Sequence, residues 1–87
     1  MTAMSYKVGD KCAFVTSNTR KVGEVVAVVP PGSVPSDVGF PRAGGGGSWR
    51  GAESYVVRAR KKNYRGDFYG SVSVYWPPVS TLVPLDE

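Results

Sequence analysis

The sequence predicts an all-β domain built from five short strands. Residues 55–60 and 71–76 each alternate between two kinds of side chain with a period of two, which is typical of half-buried strands. A content of 11 Gly and 7 Pro in 87 residues favours short strands with irregular connections, and it leaves little room for helix. A chain of this length supports one domain, which we take to span residues 1–87.

The first predicted strand covers residues 11–15 and turns Cys12 and Phe14 inward. A polar connector follows at residues 16–21, where the chain reverses near Asn18 and Thr19. The same connector is an alternative candidate for a binding loop.

The second predicted strand covers residues 22–29, because its β-branched content favours strand over helix. We expect Val25 and Ala27 in the core. Val26 and Val28 would then point outward, and they would need cover from the following loop or from another subunit.

A long loop is predicted between strands two and three, at residues 30–52, because Pro30 and Pro31 end the ladder and small residues follow. Loops of this length are generally lids, binding loops or disordered segments. Residues 44–48 (Gly-Gly-Gly-Gly-Ser) match a flexible linker in composition, which raises the alternative of an engineered insertion. The context of a phosphate-binding loop is missing around them.

Strands three and four form the predicted central hairpin. In strand three, alternation places Tyr55, Val57 and Ala59 on an apolar face, with Val56, Arg58 and Arg60 opposite. In strand four, Val72, Val74 and Trp76 share one side and Tyr75 lies on the other. We expect the two strands to pair antiparallel, with their valines pointing into a shared interior.

The chain ends with a predicted turn and a short strand. Pro77 and Pro78 break strand four, residues 79–81 have room for one tight turn, and residues 82–85 form strand five.

The order of these elements resembles the SH3-like small-barrel superfamily. The features that carry the resemblance are the opening Val8-Gly9-Asp10-Lys11, a second strand beginning with Gly23, and a penultimate strand followed by a single turn. The resemblance implies a five-stranded SH3-like small barrel with the long loop between strands two and three. Closure of such a barrel removes the sheet edges.

Two members of that superfamily show local similarity. The segment Gly70-Ser-Val-Ser-Val-Tyr75 is similar to the penultimate strand of the type II dihydrofolate reductases, which implies an oligomeric reductase. That family has a catalytic glutamine where this chain has Ser73, its substrate-binding lysine would fall near Phe14 or Val15, and Tyr75 is the site residue that carries over. Val56-Val57-Arg58 followed by Asn63-Tyr64 is similar to the photosystem I subunit with an SH3 fold, which docks partners.

The most distinctive surface is basic and aromatic. The net charge of +4 permits acidic partners. Between Arg50 and Arg65 the sequence contains six cationic residues and one carboxylate. Cations pair with phosphates and planar rings stack on bases, with Phe68 and Tyr69 among the rings. We therefore predict binding of nucleic acid or of an acidic protein surface through Arg58, Arg60, Lys61, Lys62, Tyr64, Arg65 and Tyr75.

The composition argues against several other classes of protein. With no histidine and one cysteine, the chain has no metal-ligand cluster, no internal disulfide and no recognisable catalytic pairing, so we expect no metal, no cofactor and no catalysis. No run reaches transmembrane length and no signal sequence is visible, which predicts a soluble, cytoplasmic protein.

Three functional hypotheses follow. The first is a non-enzymatic binding module that prefers nucleic acid. The second is a docking or self-assembling module, a homo-oligomer held through strand two and the long loop. The third is the oligomeric reductase.

Overall fold

The computed structural model describes residues 6–16, 18–43 and 51–85. It contains five strands and two short 3₁₀ turns, at Pro35–Val38 and Val79–Thr81. The strands are β1 (Lys11–Thr16), β2 (Thr19–Val29), β3 (Ser54–Lys62), β4 (Phe68–Tyr75) and β5 (Val83–Pro84).

The five strands form one antiparallel sheet in the order β4-β3-β2-β1-β5. The prediction of an all-β fold with five antiparallel strands is confirmed. The described sheet is not closed, because β4 and β5 lie at its two edges and do not pair with each other.

Strand β2 begins earlier than predicted, at Thr19 rather than Val22. The reason is a tight hairpin, in which Thr16 pairs with Thr19 and Asn18 adopts a φ of 61°. Asparagine tolerates this left-handed conformation better than most residues. Gly23 therefore lies inside β2 rather than at its start.

A β-bulge at Val26 changes which side of the sheet the second half of β2 faces. The pairing with β3 shifts between Val25, which is opposite Val57, and Ala27, which is opposite Val56. One extra residue reverses the alternation of everything that follows it. Both residues are buried as predicted, but they face opposite sides of the sheet.

The first face of the sheet carries the larger cluster of buried side chains. Cys12 and Phe14 face inward as predicted, and burial raises the pKa of the Cys12 thiol to about 11. Tyr6 packs edge-on against Tyr55 with ring centroids 5.1 Å apart. The cluster consists of Tyr6, Cys12, Phe14, Val25, Tyr55, Val57, Ala59 and Leu82, with Val28, Tyr75 and Val79 packed against it.

The second face has its own smaller cluster, which the first part of the long connection covers. Ala27, Val29, Ala43, Val56 and Trp76 are buried there. Val34, Val38 and Phe40, from the segment after β2, pack on this cluster together with Val26 and Val74. Residues 44–48, for which a linker was predicted, lie outside the described residues.

Three of the predicted side-chain environments are wrong. Val57 and Val74 do not share an interior, because Val57 pairs with Tyr75 on the first face while Val74 pairs with Arg58 on the second. Val56, assigned to the charged face, is fully buried under the segment that follows β2. Val28, assigned outward, packs against the first cluster because the bulge turns it there.

Gly23 is required where the backbone of β3 lies close against β2. A Cβ atom on Gly23 would overlap the carbonyl oxygen of Arg58 and would lie 2.6 Å from the Cα atom of Ala59. Both are backbone atoms, which cannot move without breaking the ladder. We expect Gly23→Ala to lower the free energy of unfolding by about 3 kcal/mol, measured by urea titration.

The matched control is Gly51→Ala, since a Cβ atom there meets no heavy atom within 4 Å. We expect this variant to unfold within about 0.5 kcal/mol of the wild type. Equal urea midpoints for the two variants would contradict the close approach of β2 and β3.

Candidate functional site

The turns of the two hairpins lie side by side at one end of the sheet. The β1–β2 hairpin reverses after Thr16 and the β3–β4 hairpin reverses after Lys62. Arg20 of β2 lies directly opposite Lys62 of β3, so the first residues after one turn adjoin the last residues before the other.

The β3–β4 turn is held in shape by the side chain of Asn63. Its Oδ1 atom accepts hydrogen bonds from the backbone N–H of Arg65 at 2.9 Å and of Asp67 at 3.0 Å. The backbone N–H of Gly66 donates to the Asn63 carbonyl at 3.0 Å, and Gly66 has a φ of 89°. Such an Asn-centred turn fixes the loop backbone, and Tyr64 at its tip is 91% exposed.

A shallow groove of about 590 Å³ lies between the two turns. We call it the end groove. It is lined on one side by Asn18 and Arg20, and on the other by Lys62, Asn63, Tyr64 and Tyr69. Its volume is within the range of cavities that bind small molecules or single residues of a polymer.

Basic side chains dominate the charge around the end groove. Arg20, Lys62 and Arg65 form no ion pair with a carboxylate in the part of the chain that the structure describes. Two of them lie against aromatic rings: the Lys62 ammonium is 5.1 Å from the Phe68 ring centroid, and the Arg65 guanidinium is 5.6 Å from that of Tyr64. Cation–π contacts of this kind neutralise no charge and hold the side chain in place.

The structure brings together some of the predicted site residues. Lys62 and Tyr64 line the end groove, and Arg65 stands beside Tyr64 in the turn. Lys61 precedes them on β3 but does not line the end groove; it pairs with Tyr69 on β4 and with Lys21 on β2.

Three other predicted site residues lie away from the end groove. Arg58 faces Glu24, with its Nη2 atom 3.5 Å from Glu24 Oε1, on the second face of the sheet. The Nε atom of Arg60 donates to the Gly70 carbonyl at 2.8 Å, where the β3–β4 register is irregular. Tyr75 is half-buried on the first face and packs edge-on against Phe14 at 5.5 Å.

Arg20 and Asn18 belong to the end groove, but the interface predicted from the sequence did not include them. They lie in the polar connector, which was predicted as an alternative candidate for a binding loop, so the sequence contains a local signal for these two residues. The sequence does not reveal that Arg20 pairs with Lys62, because this pairing joins two hairpins that are distant in the sequence.

Lys21 is a nearly buried lysine on the first face of the sheet. It is 5% exposed, lies opposite Phe14 and Lys61, and has its ammonium 5.4 Å from the Tyr75 ring centroid. Its Nζ atom is also 3.5 Å from the Thr19 carbonyl oxygen. Burial, and secondly the charge of Lys61, lower the pKa of Lys21.

Three of the four positions singled out by the similarity to the type II reductases, Phe14, Ser73 and Tyr75, lie on the first face. Ser73 is exposed on β4 opposite Ala59, and Tyr75 follows two residues later on the same side. Phe14 is buried and Val15 is exposed on β1. The lysine opposite Phe14 is Lys21, whose ammonium lies over Tyr75.

Comparisons with protein-family models, with curated proteins and with solved structures find no match for this chain. Within residues 6–16, 18–43 and 51–85, no three His, Cys, Asp or Glu side chains are grouped so that they could hold a metal ion. The helical turns in the same ranges are too short to cross a lipid bilayer.

The charge of Lys21 is expected to cost stability. Methionine keeps the apolar stem of this side chain and removes a charge that burial and Lys61 disfavour. At neutral pH we expect Lys21→Met to raise the free energy of unfolding by about 1 kcal/mol, measured by urea titration.

The advantage of Lys21→Met should depend on pH. Folding lowers the pKa of Lys21 from 10.5, so the unfolded chain binds more protons than the folded chain between the lowered pKa and 10.5. The contribution of Lys21 to the free energy of unfolding of the wild type therefore rises with pH in that interval. The stability advantage of Lys21→Met over the wild type shrinks by the same amount. Lys11→Met, at an exposed position of β1, is the control, and a Lys21→Met protein less stable than wild type at every pH would contradict the argument.

Proposed function

We propose that this protein is a small nucleic-acid-binding module that acts through the end groove. The observation that carries the proposal is the grouping of Arg20, Lys62 and Arg65, free of carboxylate partners in the described chain, around a groove edged by exposed Tyr64 and Tyr69. Cations supply the affinity for a phosphate backbone, and aromatic rings supply surfaces for bases.

We also infer that the fold is an SH3-like small barrel. Two features support this: the strand order β4-β3-β2-β1-β5, and the 3₁₀ turn Val79–Thr81 that separates β4 from a short β5 paired with β1. This architecture presents loops at the ends of its sheet, where the end groove lies. Fold alone assigns no ligand, so the function rests on the site.

The shape of the site favours nucleic acid over an acidic protein surface as the partner. Carboxylates of a protein would use the cations and leave Tyr64 in water, whereas a nucleic acid uses both. Self-association through strand two has less support, because β2 lies inside the sheet and its Val26 and Val28 pack against the chain's own clusters.

The binding we expect is weak and depends strongly on salt. If Arg20, Lys62 and Arg65 each neutralise one phosphate, the slope of the logarithm of the binding constant against that of the salt concentration is about −2 to −3. A slope near zero, or no binding in low salt, would refute the proposal.

Charge reversal at the end groove is the sharpest test of its location. We expect Arg20→Glu and Lys62→Glu each to weaken binding of a labelled oligonucleotide by at least about tenfold in low salt. Fluorescence anisotropy measures the affinity, and circular dichroism confirms that the variants fold.

Lys7→Glu is the matched control, because it makes the same change in net charge. Lys7 is exposed and precedes β1, at the end of that strand away from the β1–β2 turn. An equal loss of affinity in Lys7→Glu and Lys62→Glu would show that net charge, and not the end groove, accounts for binding.

A further inference from the structure

The end groove has features that a double helix would leave unused. Tyr64 is 91% exposed at the tip of a turn fixed by Asn63, and Tyr69, on the edge strand, is 43% exposed. In a duplex the bases are stacked on each other, and their flat faces are available only at the ends. Rings held out in water favour a ligand whose bases are unpaired.

We propose that the end groove binds single-stranded nucleic acid, with an unpaired base stacked on Tyr64 and the neighbouring phosphates on Arg20 and Lys62. This inference rests on the proposed function and makes it more specific.

The arrangement around Tyr64 fits a stacked base. The Arg65 guanidinium lies over the ring at 5.6 Å from its centroid, and the high exposure of Tyr64 leaves other ring surface open to solvent. A base that stacks there extends a row in which arginine, ring and base follow one another. The cation behind the ring strengthens the row, because it attracts the electrons of the ring.

The spacing of the two cations also fits a single nucleic-acid strand. Arg20 and Lys62 are cross-strand neighbours on adjacent strands, and neighbouring strands lie about 5 Å apart. A single backbone passing over the end of the sheet can place phosphates near both side chains while a base turns toward Tyr64. The volume of about 590 Å³ has room for a nucleotide, whereas a duplex can meet this surface only with its outer phosphates.

The expected sequence preference of the site is weak. The Oδ1 atom of Asn63, an acceptor beside the groove, is already used by the backbone N–H groups of Arg65 and Asp67. Stacking accepts any base, since every base has a flat face. Selectivity should therefore concern strand state more than base identity.

The test compares a short labelled oligothymidylate with a mixed-sequence duplex of the same length, in one low-salt buffer. We expect the full-length protein to bind the single strand more tightly. Tyr64→Ala should weaken single-strand binding by about five- to one-hundred-fold and should remove most of the preference over the duplex. Tyr64→Phe keeps the ring and should keep the preference.

The salt dependence separates stacking from charge. Tyr64→Ala should lower the affinity without changing the salt slope, whereas Lys62→Glu should reduce the slope by about 1. Because Tyr64 is exposed at a turn, its variants should melt at the wild-type temperature, which excludes misfolding as the cause.

The outcomes distinguish this inference from the function on which it rests. Equal affinity for the two ligands, with Tyr64→Ala without effect, would overturn the single-strand inference and leave a phosphate-binding module. Binding of neither ligand in low salt would overturn both.

Discussion

The close approach of β2 and β3 at Gly23 is the constraint on which the rest of the structure depends. Because Gly23 has no side chain, the Arg58 carbonyl and the Ala59 backbone can occupy the space that a Cβ atom would need. The same ladder continues to the pairing of Arg20 with Lys62 in one direction and to the bulge at Val26 in the other. The close contact at Gly23 therefore lies in the ladder that joins the core to the end groove.

The bulge at Val26 lets one thin sheet bury side chains on both of its faces. Before it, β2 contributes Val25 to the first cluster, and after it Ala27 and Val29 enter the second. The second cluster needs cover, which the segment around the turn Pro35–Val38 provides. Trp76 is buried in this second cluster. The Nε1 atom of Trp76 donates to the buried Ser54 hydroxyl at 2.8 Å, so that the indole nitrogen has a partner.

Local sequence patterns were sufficient to predict the strands, but not which residues of neighbouring strands share a face. Alternation in β3 correctly separated Arg58 and Arg60 from Val57 and Ala59, because a period of two is a property of each strand alone. It could not show that Val74 pairs with Arg58 rather than Val57, since that depends on the length of the turn and on the irregular register near Gly70. The bulge at Val26 has no signature in a run of valines.

The same limit applies to the candidate site. Lys62, Tyr64 and Arg65 were found because they are neighbours in the sequence with a suggestive composition. Arg20 was not, because its place beside Lys62 is a long-range consequence of strand pairing. Tyr75 has the right chemistry for a binding residue, but it packs against Phe14 on the first face of the sheet.

Cys12 makes the folded state of this protein directly measurable. It is the one cysteine of the sequence, and its strand lies between β2 and β5, so the thiol is shut off from solvent on the first face. An alkylating reagent can reach it only when β1 separates from a neighbouring strand or the whole sheet opens. The rate at which the native protein is alkylated therefore measures how often these opening events occur, and the measurement needs no added label.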